Sequence, residues 1–172
     1  KTDENGGGVG ALGTADVTVN GNVDGTLGGV AATEESKITV NGDVDSDGVG
    51  ALATDKGEVV VNGDVKGGEV GVAAEGESTV KVEGDVAGKD GAEQGGYGVV
   101  STENAQVEVA GDVKGGNAES DTDQAVGGTG VIAAGESEVT VGGSVQGGDA
   151  KNDTVAMAGD GVGIEATADV TV

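Results

Sequence analysis

The chain predicts an all-β fold: a single-stranded parallel β-helix (a β-solenoid) of about seven coils of 21 or more residues. Three observations carry the prediction. A glycine recurs at 21, 42, 63, 84, 111 and 143, each followed two residues later by valine, and the first four lie 21 residues apart. Around it valines alternate with polar residues, the period-two pattern of a half-buried strand. The spacing inside each copy is constant, while a single gap grows along the chain. A repeat of this length marks stacked units that bury their inner faces only against their neighbours.

Each copy opens with a short apolar segment led by glycine: Gly8-Val9-Gly10-Ala11, Gly29-Val30-Ala31-Ala32, Gly50-Ala51-Leu52-Ala53 and Gly71-Val72-Ala73-Ala74. Later copies start at Gly98, Gly130 and Gly161, and nine residues always separate that glycine from the first apolar residue of the next segment. A polar turn follows, closed by a small residue that extends the inward face: Ala15, Ser36, Gly57, Ser78, Ala105, Ser137 and Ala168. Next comes a long segment at 17–23, 38–44, 59–65, 80–86, 107–113 and 139–145, beginning again at Val170. Its internal glycine implies a corner of positive φ or an inward position too narrow for a side chain. From its last valine to the next short-segment glycine the gap is 6 residues at first (Val23 to Gly29), then 12, 17 and 16. Insertions confined to one corner predict loops on one side of the stack, the usual binding face of a repeat protein.

Composition agrees. Of 172 residues, 38 are glycine, and proline, cysteine, histidine, tryptophan and phenylalanine are absent, so the core is narrow and made of small side chains. Low hydropathy with a net charge of −24 also fits disorder, but disordered chains do not hold alternating valines in phase over seven copies. The acidic balance disfavours nucleic acid and anionic membrane surfaces, which need a basic patch. No apolar run approaches the ~20 residues of a membrane span. The 172 residues are read as one solenoid domain. Because the repeat stops mid-coil at Val170-Thr171-Val172, a longer array is expected.

The pattern Val-x-Val-x-Gly-Asp-Val with Gly-Val-x-Ala, as in 59–65 and 71–74, resembles the coils of right-handed parallel β-helix (pectin-lyase-like) surface proteins, the bacterial adhesins and autotransporter passenger segments. The resemblance covers roughly 8–172. It implies an extracellular bacterial protein used for adhesion or as a rigid stalk, and right-handed coils. It carries over no functional residue.

Among candidate sites, Asp43-Val44-Asp45-Ser46-Asp47-Gly48 has the alternating oxygens and turn glycine of a calcium loop. Asp43, Asp45 and Asp47 are therefore candidate ligands, against a plain Asp-Gly turn. The loop's twelfth position is Thr54 instead of Glu, and Val44 belongs to the inward stack. Asp43, Asp64, Asp85 and Asp112 occupy one column, where solvent and the neighbouring Lys66 and Lys114 are expected to relieve their repulsion. Asn20, Asn41 and Asn62 form a second column, expected to be a hydrogen-bonded amide ladder. The long loops at 87–96, 114–129 and 146–160 are contact candidates, with Glu119, Asp121 and Asp123 as an acidic cluster and Tyr97 as the lone aromatic.

Catalysis is not expected. The chain has no Arg, His or Cys, so Ser-His and Cys-His pairings and thiolate metal sites are excluded. A lattice-matching ice face is also disfavoured, because the outward Thr18, Thr39, Thr140 and Thr171 are interrupted by Val60, Lys81 and Glu108. The expectation is a non-enzymatic structural or adhesive segment of an exported bacterial surface protein, without a cofactor. It would meet a host or cell-surface protein or glycan through its corner loops. The alternative is a carbohydrate- or calcium-binding module using the same loops.

Overall fold

The computed structural model describes residues 7–121, 124–152, 155–165 and 168–172. Among them every regular element is a strand. The chain winds through three parallel sheets, one strand per sheet per coil, so the sequence's expectation of a parallel β-solenoid holds. The short segments form a seven-stranded sheet, here the short-strand sheet: Val9–Ala11, Gly28–Thr33, Val49–Thr54, Val70–Ala74, Tyr97–Ser101, Val131–Ala134 and Val162–Glu165.

The long segments do not form single strands. Each bends at its Asn-Gly or equivalent step and feeds two sheets. The first half enters the long-strand sheet, running from Asp16–Val19 through Lys37–Val40 and Glu58–Val61 to Asp169–Thr171. The second half enters a six-stranded corner sheet: Val23–Gly25, Val44–Ser46, Val65–Gly67, Val86–Gly88, Val113–Lys114 and Val145–Gln146.

Register places like on like. Val17, Ile38, Val59, Val80, Val107, Val139 and Val170 stack in one column. From Ile38 to Val139 they lie at most 3% exposed. Val40, Val61, Val82, Val109 and Val141 make a second inward column, and Val44, Val65, Val86 and Val113 a third. Each such valine, removed from water, contributes at most roughly 1.5–3 kcal/mol. The short-strand sheet fills the remaining space with Val30, Ala51, Val72, Val99 and Val131 beside Ala32, Ala53, Ala74, Ser101 and Ala133.

The two expected reasons for the corner glycines hold only in part. Only Gly21 has positive φ there (138°). At Gly42, Gly63, Gly84, Gly111 and Gly143, an added Cβ would lie 2.6–2.8 Å from backbone atoms of the glycine one coil earlier. The constraint runs along the stack: consecutive corners approach too closely for any side chain.

The turn between the short-strand and long-strand sheets repeats one geometry. Its second residue is left-handed in each coil from the first to the sixth: Gly13, Glu34, Asp55, Gly76, Glu103 and Gly135, with φ between 59° and 74°. Ser36 and Ser78 close two of these turns. Each hydroxyl accepts a turn N–H, from Thr33 at 3.0 Å and from Glu75 at 3.1 Å, and donates back to a carbonyl one coil earlier, Ala11 or Ala53.

Candidate functional site

The site candidates lie at the corner and in the loops that leave it. At the exposed corner, the carboxylates of the Asp column have a further task besides meeting solvent. Each side chain accepts the backbone N–H of its counterpart one coil on. Asn22 Oδ1 accepts Asp43 N at 2.9 Å, Asp43 Oδ1 accepts Asp64 N at 3.0 Å, and Asp64 Oδ1 accepts Asp85 N at 2.9 Å. Asp85 Oδ1 then accepts Asp112 N at 2.8 Å, and Asp112 Oδ1 accepts Ser144 N at 2.7 Å and Ser144 Oγ at 3.0 Å. The result is a continuous staircase linking six coils. The Ser144 backbone bond, then its hydroxyl bond, hold the Asp112 carboxyl below the usual carboxylate value, against slight desolvation. Beside it the expected amide ladder is present: Asn41 Nδ2 donates to Asn20 Oδ1 at 2.9 Å, and Asn62 Nδ2 to Asn41 Oδ1 at 2.7 Å.

The three candidate calcium ligands are divided between two tasks. Asp43 belongs to the staircase, whereas Asp45 and Asp47 share the Lys89 ammonium at 2.5 and 2.9 Å. Partial desolvation lowers the Lys89 pKa, but the hydrogen bonds and charges of Asp45 and Asp47 outweigh it, so the net shift is upward. A cation entering here must displace that ammonium. Asn22, Asp24, Asp43, Asp45, Asp64 and Lys66 surround a shallow depression of about 180 Å³ at the same corner.

The described residues of the long loops form layers that continue the stack sideways. Ala118–Glu119 pairs in parallel with Ala150–Lys151, and Ala125–Val126 with Ala156–Met157. Bridges from Gly91 to Ala118 and from Gln94 to Val126 add the first loop as a third layer. We call this lateral outgrowth the fin.

Its neck is closed by backbone bonds that alternate between outgoing and returning chain. Gly96 N donates to Lys89 O at 2.9 Å, Gly116 N to Gly96 O at 2.7 Å and Gly128 N to Gly116 O at 2.8 Å. The series continues with Gly148 N to Gly128 O at 2.7 Å and Gly159 N to Gly148 O at 2.9 Å. A Cβ at Gly116, Gly128 or Gly148 would lie 1.8–2.0 Å from a carbonyl oxygen, so the neck admits only glycine. A second staircase runs beside it: Asp90 Oδ1 accepts Asn117 N at 2.7 Å, and Asn117 Oδ1 accepts Asp149 N at 2.9 Å.

The loop candidates separate. Glu119 lies in the fin and pairs with Lys151 at 2.5 Å, one layer on. Asp121 is exposed on the same outgoing segment, and Asp123 lies outside the described residues. Tyr97 is at the start of its short-sheet strand, partly exposed, with its hydroxyl accepting Gln94 Nε2 at 2.8 Å. The fin begins abruptly at this coil, leaving a ledge with a cavity of about 400 Å³ lined by Gly68, Glu69, Val70, Gln94, Gly95, Gly96 and Tyr97.

Sequence reasoning missed the fin, the neck and the ledge. The signal was present in the paired glycines at 95–96, 115–116, 127–128 and 147–148, which bracket the loops, and in Asp90, Asn117 and Asp149 at equivalent places.

Fold and site together define a parallel β-solenoid with ordered corner insertions. No family model, curated protein or solved structure matches the chain.

Proposed function

We propose that this chain is a non-enzymatic structural and adhesive segment of an exported bacterial surface protein, with the solenoid as rigid spacer and the fin as contact surface. The carrying observation is the ordered fin: insertions from successive coils pair strand to strand and share one glycine neck. Loops that merely tolerate length have no need of such order, whereas a contact surface gains by not losing entropy on binding. The rigid-spacer role draws on the staircase and the valine columns, which tie each coil to the next throughout. The surface location rests on the likeness of the coils to surface β-helices.

The partner is a host or cell-surface protein or glycan. Replacing 87–96, 114–129 and 146–160 by the short connection of the earlier coils tests the reading. Binding to the target surface is expected to disappear while the melting temperature stays high. Retained binding contradicts the contact role of the fin.

The ledge favours a second reading, a carbohydrate-binding module. Tyr97 offers a ring face, and Gln94 and Glu69 offer an amide and a carboxylate beside it. Glycan binding lost in Tyr97→Ala but retained in Glu119→Gln would support it. Calcium at Asp43, Asp45 and Asp47 competes with Lys89. A calcium-dependent rise in melting temperature that Lys89→Met enlarges would support that site; an unchanged melting temperature on chelation speaks against it.

A further inference from the structure

Three steps of the chain place an exposed asparagine directly before a corner glycine: Asn20-Gly21, Asn41-Gly42 and Asn62-Gly63. The N–H groups of these three glycines have no hydrogen-bond partner among the described residues. At the later corners, Glu83, Ala110 and Gly142 precede the glycine. There Gly84 N, Gly111 N and Gly143 N each donate to the glycine carbonyl one coil earlier, at 3.0–3.2 Å. The N–H after Asn22, Asn104 and Asn117 is likewise bonded: Val23 N to Asp43 O, Ala105 N to Thr102 O and Ala118 N to Asp149 O. An unbonded amide nitrogen that follows an asparagine, with no side chain of its own to shield it, sits one ring closure from the asparagine Cγ.

We propose that Asn20 is a site of spontaneous deamidation in the folded protein, selected over Asn41 and Asn62 by the amide ladder it belongs to. Gly21 N gives its proton to solvent base and bonds to Asn20 Cγ. Negative charge moves to Oδ1, where Asn41 Nδ2–H, 2.9 Å away, stabilises it. Collapse breaks the Cγ–Nδ2 bond, and Nδ2 leaves as ammonia with a proton from water. A second water opens the five-membered imide, at the side-chain carbonyl to give an aspartyl residue or at the main-chain carbonyl to give an isoaspartyl one.

The ladder and the space at the corner both select the first rung. Asn20 Oδ1 accepts a hydrogen bond, while its Nδ2, the leaving group, has no partner among the described residues. Asn41 Oδ1 is also activated, but its Nδ2 is tied to Asn20. Asn62 has a tied Nδ2, and no donor among the described residues reaches its Oδ1. A tied leaving group must break its bond before it departs. A Cβ on Gly21 would meet nothing within 4 Å, whereas one on Gly42 or Gly63 would lie 2.7 Å from the glycine carbonyl one coil earlier. The product fits as well: a carboxylate at 20 goes on accepting from Asn41 Nδ2, so the ladder survives. A carboxylate at 41 would face Asn20 Oδ1, acceptor against acceptor.

Peptide mapping by mass spectrometry, on the intact chain held at mildly alkaline pH, tests this. Acid is expected to appear at 20 at least about fivefold faster than at 41 or 62, the factor one hydrogen bond carries. In urea all three steps read Val-Asn-Gly without the ladder, and their rates should agree within about twofold. Asn41→Ala separates ladder chemistry from mere exposure. Alanine already stands before the corner glycine at Ala110, and folding of the variant is checked by circular dichroism. Losing the Asn41 donor should slow Asn20 about fivefold, while freeing Nδ2 should quicken Asn62. Equal rates at the three sites in the folded chain overturn the proposal. So does a folded chain that stays amidated at 20 while the unfolded chain reacts, or an Asn20 rate unchanged in Asn41→Ala.

Discussion

Asp64 shows what one side chain contributes to this fold. Its carboxylate accepts the backbone N–H of Asp85, a donor the turning corner leaves outside the sheet ladders. Asp64→Ala leaves that donor to water and should cost about 1 kcal/mol in urea unfolding. Asp64→Asn should be close to neutral, because Asn22 performs the same task with an amide oxygen. Asp112 adds a pH dependence. Its folded-state pKa lies below the ordinary 3.8, so its stabilisation is present above that value and is lost as pH falls through the depressed one. Melting temperature measured from about pH 5 downward should therefore fall less steeply for Asp112→Asn than for the parent chain. Ser101 gives the opposite lesson. It occupies the inward alanine column, and its buried hydroxyl has no hydrogen-bond partner among the described residues. Ser101→Ala should raise stability by about 1 kcal/mol, read as a shift in the urea midpoint.

At the scale of elements, the corner and the neck are both set by backbone meeting backbone. Gly63→Ala would place a methyl 2.3 Å from Asp43 Oδ1 and 2.7 Å from the Gly42 carbonyl group. Such overpacking should cost about 1–3 kcal/mol of global stability. Gly116→Ala meets the Lys89 carbonyl oxygen at 1.9 Å, but only the fin depends on that contact. Hydrogen exchange should then quicken at 116–120 and 148–151 while Val80, Val82 and Val107 remain protected. These two elements differ in how legible they were. Valine on alternate positions states the sheets directly, because side-chain period and burial are one pattern. The bend at Asn41-Gly42-Asp43 was readable as a corner, but its cause was not, since closeness between coils is a three-dimensional fact. The staircase was hidden because an aspartate column reads as charge, and the bonds it accepts come from residues 21 to 32 positions away. The fin was hidden because its strands are two residues long and fall below any period a sequence can show.

For the whole molecule, stability should be a sum over neighbouring coils. Excising 50–70 removes one complete coil and joins equivalent positions. The shortened chain should fold with a lower melting temperature, whereas removing half that length should destroy the register and the fold. The charge of −24 weakens the stack through self-repulsion. Ion pairs between adjacent coils, such as Lys37–Glu58 at 2.6 Å, offset a little of it. The central claim is that residues far apart in sequence sit in one straight column at fixed coil spacing. Thr39 and Thr140 occupy the same outward column four coils apart. Spin labels on Thr39→Cys and Thr140→Cys, measured by pulsed electron-spin distance spectroscopy at low protein concentration, read that spacing directly. A narrow distribution centred near 19 Å, four steps of about 4.8 Å, is the predicted result. A broad distribution, or a centre beyond about 30 Å, would contradict the solenoid.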